Sequence, residues 1–178
     1  MSFIPAETGL SFSTVGKSRR DGILGAMNSK EELFLFSNEK EKFFDSYYKK
    51  KGWPCKRIRG PENKRYNCLV DIDGKKWKFE EKARTIDYGD FLVELVQDTK
   101  SRSPGWLYYC EADYILYNTP GCFYAINFHK LKKFMKRHGH KYPIKVSEKG
   151  WGKTTNAAVP WDDLMAEKVA QKIKKDEY

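Results

Sequence analysis

Apolar and polar positions alternate most regularly around Asp73-Gly74, and the rest of the chain can be placed relative to that point. Asp-Gly is a two-residue turn with positive φ at both central positions, the geometry that matches the twist of an antiparallel hairpin. With the turn fixed, Ile72 faces Lys75, Val70 faces Trp77, Cys68 faces Phe79 and Asn67 faces Glu80. Directly opposed residues share one side of a sheet, so Cys68, Val70, Ile72, Trp77 and Phe79 form an apolar face. The other face carries Asn67, Asp71, Lys76, Lys78, Glu80 and Lys82.

Upstream, the period changes from two to 3.6. Phe43, Phe44, Tyr47 and Tyr48 recur at helical spacing, in a helix that the pattern opens at Ser37 or Asn38, places Glu39 and Glu41 in its first turn, and closes at Lys51-Gly52. Such a stripe reads as core before it reads as a base-stacking surface. Residues 54–58 are an extended segment and 60–63 a loop. After the hairpin, 87–90 is a turn and 91–97 a third strand rich in β-formers. Glu94 lies within that strand, and a carboxylate among so many apolar neighbours either faces solvent or sits in a polar cleft.

Ser103-Pro104-Gly105-Trp106 interrupts the pattern, 107–112 is a short helix, and 113–117 and 122–127 are strands joined by a turn at 119–121. Residues 128–137 form a helix with Phe128, Leu131, Phe134 and Met135 on its buried stripe. Residues 150–159 read as a loop and 160–175 as a final helix. Residues 1–30 show no sustained period and read as an irregular arm bearing Lys17, Arg19 and Arg20, and there is no internal repeat. The expected class is α/β, a central mixed sheet with an antiparallel hairpin, flanked by helices in one domain over 31–178 that ends in a helix.

A chain of 178 residues buries one good core. Its 34 basic and 24 acidic residues give a net charge of +10, a balance that favours polyanions such as nucleic acid. No apolar run approaches the roughly 20 residues a membrane span needs, and the start shows no secretory pattern, so the expected setting is a reducing cytoplasm. Cys55, Cys68, Cys110 and Cys122 lack CxxC spacing and read as reduced thiols. His138-Gly-His140 has no nearby cysteine and falls short of a zinc motif.

The chemical interest lies on the polar face of the hairpin. Glu80 and Lys82, two positions apart on one strand, project into the same space. A carboxylate beside an ammonium suits metal-assisted phosphodiester cleavage, in which the acid holds Mg²⁺ and the lysine orients water or stabilises developing charge. For Glu-x-Lys alone, a solvated strand face with neutralised charges is the ordinary reading. Lys130, Lys132, Lys133, Lys136 and Arg137 make the outer side of helix 128–137 either a phosphate-contacting ridge or a solvated face.

The order helix, hairpin, strand, short helix, strand, strand, helix, with an acid-x-lysine ending the second hairpin strand, resembles the PD-(D/E)XK nuclease superfamily, the restriction-endonuclease-like fold. Lys-Phe-Glu-Glu-Lys-Ala, Phe-Leu-Val-Glu-Leu, Pro-Gly-Trp-Leu, Ala-Asp-Tyr and Thr-Asn-Ala-Ala-Val-Pro are similar, in that order, to small phage and bacterial members, over about residues 38–165. The resemblance implies a Mg²⁺- or Mn²⁺-dependent nuclease, with DNA favoured over RNA as substrate and the choice between them open, in a bacterial host cell if phage-derived, with no membrane partner. It implies Glu80 as a metal ligand, Lys82 as the motif lysine, Glu94 as a further ligand or supporting acid, and an aspartate at 67, where this chain has Asn67. Three explanations stand: an inactivating substitution, a weak natural site using Asp71 or Glu94, or a retired nuclease that only binds. Asp71 lies about 13 Å further along its strand and substitutes poorly. Lys76, Lys78, Lys130, Lys133 and Arg137 would attract the phosphate backbone. The rivals are a catalytically silent nucleic-acid-binding module on the same fold and, as a third class, a protein-interaction factor whose charge serves solubility.

Overall fold

The computed structural model of the protein describes residues 30–149 and 152–174. Helix α1 (Lys30–Lys50) leads into β1 (Cys55–Arg57), a 3₁₀ turn (Gly60–Lys64), and the hairpin β2 (Cys68–Ile72) and β3 (Lys75–Ala83). Next come β4 (Asp90–Asp98), β5 (Ser103–Pro104), the single turn α2 (Trp106–Tyr109), β6 (Tyr114–Asn118), β7 (Cys122–Asn127) and α3 (Phe128–His138). A 3₁₀ turn (Gly139–Lys141) precedes β8 (Ile144–Lys149), β9 (Gly152–Pro160), α4 (Trp161–Ala166) and β10 (Ala170–Lys174).

These strands form two sheets, a six-stranded one in the order β1-β2-β3-β6-β7-β10 and a four-stranded one in the order β5-β4-β9-β8. The larger is mixed, because β3 and β6 run parallel and its other pairs antiparallel. The hairpin register is the expected one, with Cys68 opposite Phe79, Val70 opposite Trp77 and Ile72 opposite Lys75. Asp73 and Gly74 both have positive φ, 54° and 78°, as the tight turn demands.

One face of the larger sheet packs on α1, where Phe44, Tyr47 and Tyr48 meet Cys68, Val70, Ile72, Phe79, Leu116 and Phe123. The aromatic stripe is therefore core. A second core, with Phe91, Trp106, Ile115, Tyr117, Ile126 and Trp161, joins the opposite face to the smaller sheet, α2, α3 and α4. The expected buried stripe of α3 is part of it. Strand β3 thus sends alternate side chains into two different layers.

Several sequence expectations are corrected. Helix α1 begins at Lys30, so Ser37 and Asn38 lie inside it; a residue suited to capping does not stop a helix whose preceding residues, Glu31, Glu32 and Leu33 among them, also favour one. The third strand does not extend the hairpin sheet but enters the smaller one. Residues 150–159, expected as a loop, contain most of β9, which pairs with β4 on one side and β8 on the other. Its polar Thr154 and Asn156 and its apolar Ala157 to Val159 are all buried, so the alternation that marks a half-exposed strand is missing. The expected helix 160–175 stops at Ala166. The chain reverses through Lys168 at φ 53° and continues as β10, because pairing with β7 outweighs local helical preference. The irregular-arm reading of residues 1–30 lies outside the described residues except at Lys30.

Candidate functional site

The site grows from the end of β3. The pleat turns Glu81 toward α1 and Glu80 and Lys82 toward α2. Lys82 Nζ donates to Glu80 Oε1 at 2.9 Å and sits 5.2 Å from the centre of the Trp106 ring. Glu80 is 8% exposed, and its Oε2 is buried with no hydrogen-bond partner among the described residues. Such an oxygen is costly, and in a native fold it calls for a reason.

Glu94 reaches the same neighbourhood from the smaller sheet, its Oε1 accepting the backbone N–H of Trp106 at 3.2 Å. Its strand shifts register against β9 between Glu94 and Val96, a local irregularity of the kind that re-aims side chains. Tyr109 lies within the field of both acids. Burial first, then the charges of Glu94 and Glu80, push its hydroxyl up to about 12, so it remains a proton-bearing donor at neutral pH. Cys110, the residue after it, is held up to about 11, mainly by burial, with Glu80 raising it and Lys82 and Lys132 opposing.

Asn67 lies beside this group, but its side chain is engaged. Its backbone N–H donates to Phe79 O at 2.9 Å, its Oδ1 accepts from Glu81 N at 2.7 Å, and its Nδ2 donates to Asn63 Oδ1 at 2.8 Å. The amide thus continues the β2–β3 ladder one step past the last paired strand residue. Asp71 lies opposite Lys76, near the turn and away from the Glu80–Lys82 pair.

Lys40 was not among the sequence candidates. Its ammonium donates to Glu81 O at 3.1 Å, and burial holds it below its ordinary value against the pull of the Glu81 charge, with Lys82 and Glu80 also in its field. It lies four residues before Phe44 and seven before Tyr47, and that spacing could have placed it on the inward stripe of α1. Arg57 and Tyr48, also missed, bind Glu81 on the opposite side of β3.

Of the expected nucleic-acid contacts, Lys78 shares the Glu80 face, where it lies 3.3 Å from Glu111 and 5.0 Å from the centre of the Tyr66 ring. Lys76 is exposed nearer the turn, and Lys133 and Arg137 are exposed on α3. Lys130 instead donates to Lys168 O at 3.1 Å, toward the β10 side. Those five positions therefore do not converge on one spot.

Mg²⁺ is commonly held by one or two carboxylates, with water and substrate phosphate completing the shell. Glu80 Oε2, a buried acidic oxygen with no partner among the described residues, fits that minimal requirement, and Glu94 is a second acid whose charge, like that of Glu80, acts on Tyr109. Among the described residues no group of three or more His, Cys, Asp or Glu side chains is placed to hold a metal ion, and no helix is long and apolar enough to cross a membrane. All four cysteines are free thiols. No family model matches the chain, and it matches neither a curated protein nor a solved structure.

Proposed function

We propose that the protein is a metal-dependent nuclease of restriction-endonuclease-like type, hydrolysing phosphodiester bonds of DNA at the Glu80–Lys82 pair. The observation that carries this reading is the Glu80 carboxylate, buried beside a lysine with one oxygen left without a partner. A bound Mg²⁺ or Mn²⁺ would polarise the phosphate and make water a better nucleophile at neutral pH. Glu80 and Glu94 would hold it, with Asn67 offering at most a neutral oxygen.

The chain's own groups have defined tasks. Lys82, kept from swinging free by Glu80 and by the Trp106 ring, presents an ammonium to the attacking water or to a phosphate oxygen. Trp106, itself buried, lies against the Lys82 ammonium, and the low exposure of Glu80 strengthens the charge interaction between the two. The net charge of +10 draws the substrate backbone to the protein.

Asn67 is the weak point. An aspartate there would keep the Glu81 N–H on one oxygen and put a second, charged oxygen where Nδ2 now meets Asn63, adding a negative charge beside the strand end that carries Glu80. Cleavage of plasmid, single-stranded DNA and RNA with Mg²⁺ or Mn²⁺, compared for this chain and Asn67→Asp, tests the proposal; activity is expected to rise with the aspartate, on DNA. In an active background, Lys82→Ala should lower turnover by about 10²-fold or more. Full turnover in that variant would remove the lysine from the reaction.

A second reading, a binding module without chemistry, is favoured by the absence, among the described residues, of three or more side chains grouped to hold a metal ion, and by the engaged Asn67 amide. Salt-sensitive binding by both forms with cleavage by neither would establish it.

A further inference from the structure

The second core leaves a cleft on its outer side, a cavity of about 620 Å³ between α2, α3, the 3₁₀ turn after it, and β8. Its walls are apolar: Leu95 from β4, Leu107 and Tyr108 from α2, Met135 from α3 and Ile144 from β8. Tyr108 is 63% exposed and Ile144 53%, and Val146, 57% exposed, lies two residues further along β8. Large apolar side chains clustered at one surface mark a binding site more often than chance. Along the α3 side the rim is basic, formed by Lys132 and Lys136, with His140 of the following turn also lining the cleft. Lys132 and Lys136 are one helical turn apart, about 6 Å along the axis, a separation of the same order as successive phosphates in an extended strand.

We propose that this cleft binds an unpaired nucleotide of single-stranded nucleic acid, its base against Tyr108 and the apolar wall and its phosphates along Lys132 and Lys136. A nucleobase offers a flat face that stacks on an aromatic ring whatever its identity, while the strand it belongs to carries the negative charge the rim complements. A base inside a duplex has both faces covered by its neighbours and cannot enter, so the occupant is a single strand, a frayed end or a flipped nucleotide.

The cleft also adjoins the candidate site. Trp106, which touches Lys82 and Glu94, is followed directly by Leu107 and Tyr108 in the same helical turn. Lys132 donates to Cys110 O at 3.1 Å, and its charge acts on the Cys110 thiol together with those of Glu80 and Lys82. A nucleotide held in the cleft would therefore be a near neighbour, along its own strand, of a phosphate at Glu80. That placement rests on the proposed nuclease reading; the binding itself needs no cleavage.

The test uses the full chain, without divalent cation, and fluorescence anisotropy of a labelled short oligothymidylate and of a duplex of matched length. The single strand is expected to bind more tightly than the duplex, and more weakly as salt is raised. Tyr108→Ala should weaken oligothymidylate binding about tenfold, within the range for one base–aromatic stack, and Tyr108→Phe should retain it. Exposure of Tyr108 makes unfolding of these variants a minor concern, and a thermal melt checks it. Unchanged oligothymidylate affinity in Tyr108→Ala, or equal affinity for single strand and duplex, overturns the proposal. Loss of binding to phosphatidylglycerol vesicles in Tyr108→Ala, with oligothymidylate binding intact, would give the cleft to an anionic lipid instead. DNA cleavage that persists alongside Tyr108-independent binding sinks only this inference. Tyr108-dependent binding with no cleavage in either the native chain or Asn67→Asp sinks only the nuclease reading.

Discussion

Glu80 and Glu81 adjoin on β3, and the pleat sends them into opposite layers with opposite degrees of satisfaction. Glu81, whose side chain is fully buried, accepts from Arg57 at one oxygen and from Tyr48 at 2.9 Å at the other, with the Cys68 thiol 3.5 Å away. Arg57 is in turn fixed by Asp45, and Arg59 pairs with Glu41 nearby. Burial pushes the Glu81 carboxyl up while the charge and hydrogen bond of Arg57, then Tyr48 and Lys40, pull it back. Glu80 has one oxygen on Lys82 and one with no partner among the described residues. The difference separates a charge that ties α1 and β1 to β3 from one with an oxygen that no described residue pairs.

The contrast can be broken most sharply at Glu81. Glu81→Ala removes the buried partner of Arg57, leaving it only the exposed Asp45 and the Glu41 carbonyl, and strips the Tyr48 hydroxyl of its acceptor; breaking a buried pair costs about 3–5 kcal/mol, and chemical denaturation should show that loss. Next in size is Gly105→Ala, on the other side. Gly105 packs so closely on β4 that a Cβ would fall within the backbone of Glu94 and Leu95, and its N–H already donates to Leu95 O at 2.9 Å. The strand cannot yield as a flexible side chain would, so the cost should reach about 3 kcal/mol, and the Trp106–Glu94 contact should be lost with it. A tolerated alanine would show that α2 is not held against Glu94 in this way.

A smaller effect is expected at Asp90, which joins the end of β3 to the smaller sheet through Arg84 at 2.7 Å and Lys145. Burial pushes its carboxyl up, but hydrogen bonds from Lys145 and Arg84 and their charges outweigh it, leaving the group below its ordinary 3.8. The folded value is below the unfolded one, so this stabilisation is complete above the unfolded pKa and disappears as pH falls through the folded one. Asp90→Asn should cost about 1–2 kcal/mol at neutral pH, given a half-exposed Lys145. The gap to the native chain should narrow in acid below about pH 4, and a gap constant down to pH 2 or so would remove Asp90 from the linkage.

The smallest change is expected for Glu80→Gln. Replacing a carboxylate that lacks one partner by an amide should alter stability by less than about 1 kcal/mol, while abolishing cleavage in an Asn67→Asp background. A cost equal to that of Glu81→Ala would show that Glu80 is also scaffold, and the comparison would collapse.

Much of the site could be read from the residues. The Asp73-Gly74 turn set the hairpin register, and strict alternation then placed Glu80 and Lys82 together. Helical spacing on α3 placed its buried stripe. Residues 150–159 were misread because a strand covered on both sides loses its alternation, and β10 because pairing with β7 decides its conformation. Arg57 and Lys40 escaped notice because the partner of each, Glu81, lies 24 and 41 residues away along the chain.

The sequence by itself determined which side chains share a face within β2, β3 and α3, because that follows from turn geometry and backbone periodicity over a few residues. Only the tertiary structure decided that β4 lies in the smaller sheet, that Trp106 meets both Lys82 and Glu94, and that Asn67 spends its oxygen on Glu81 N–H. Those outcomes depend on which distant surfaces exclude water together and on where buried polar groups find partners, and neither is encoded in local spacing.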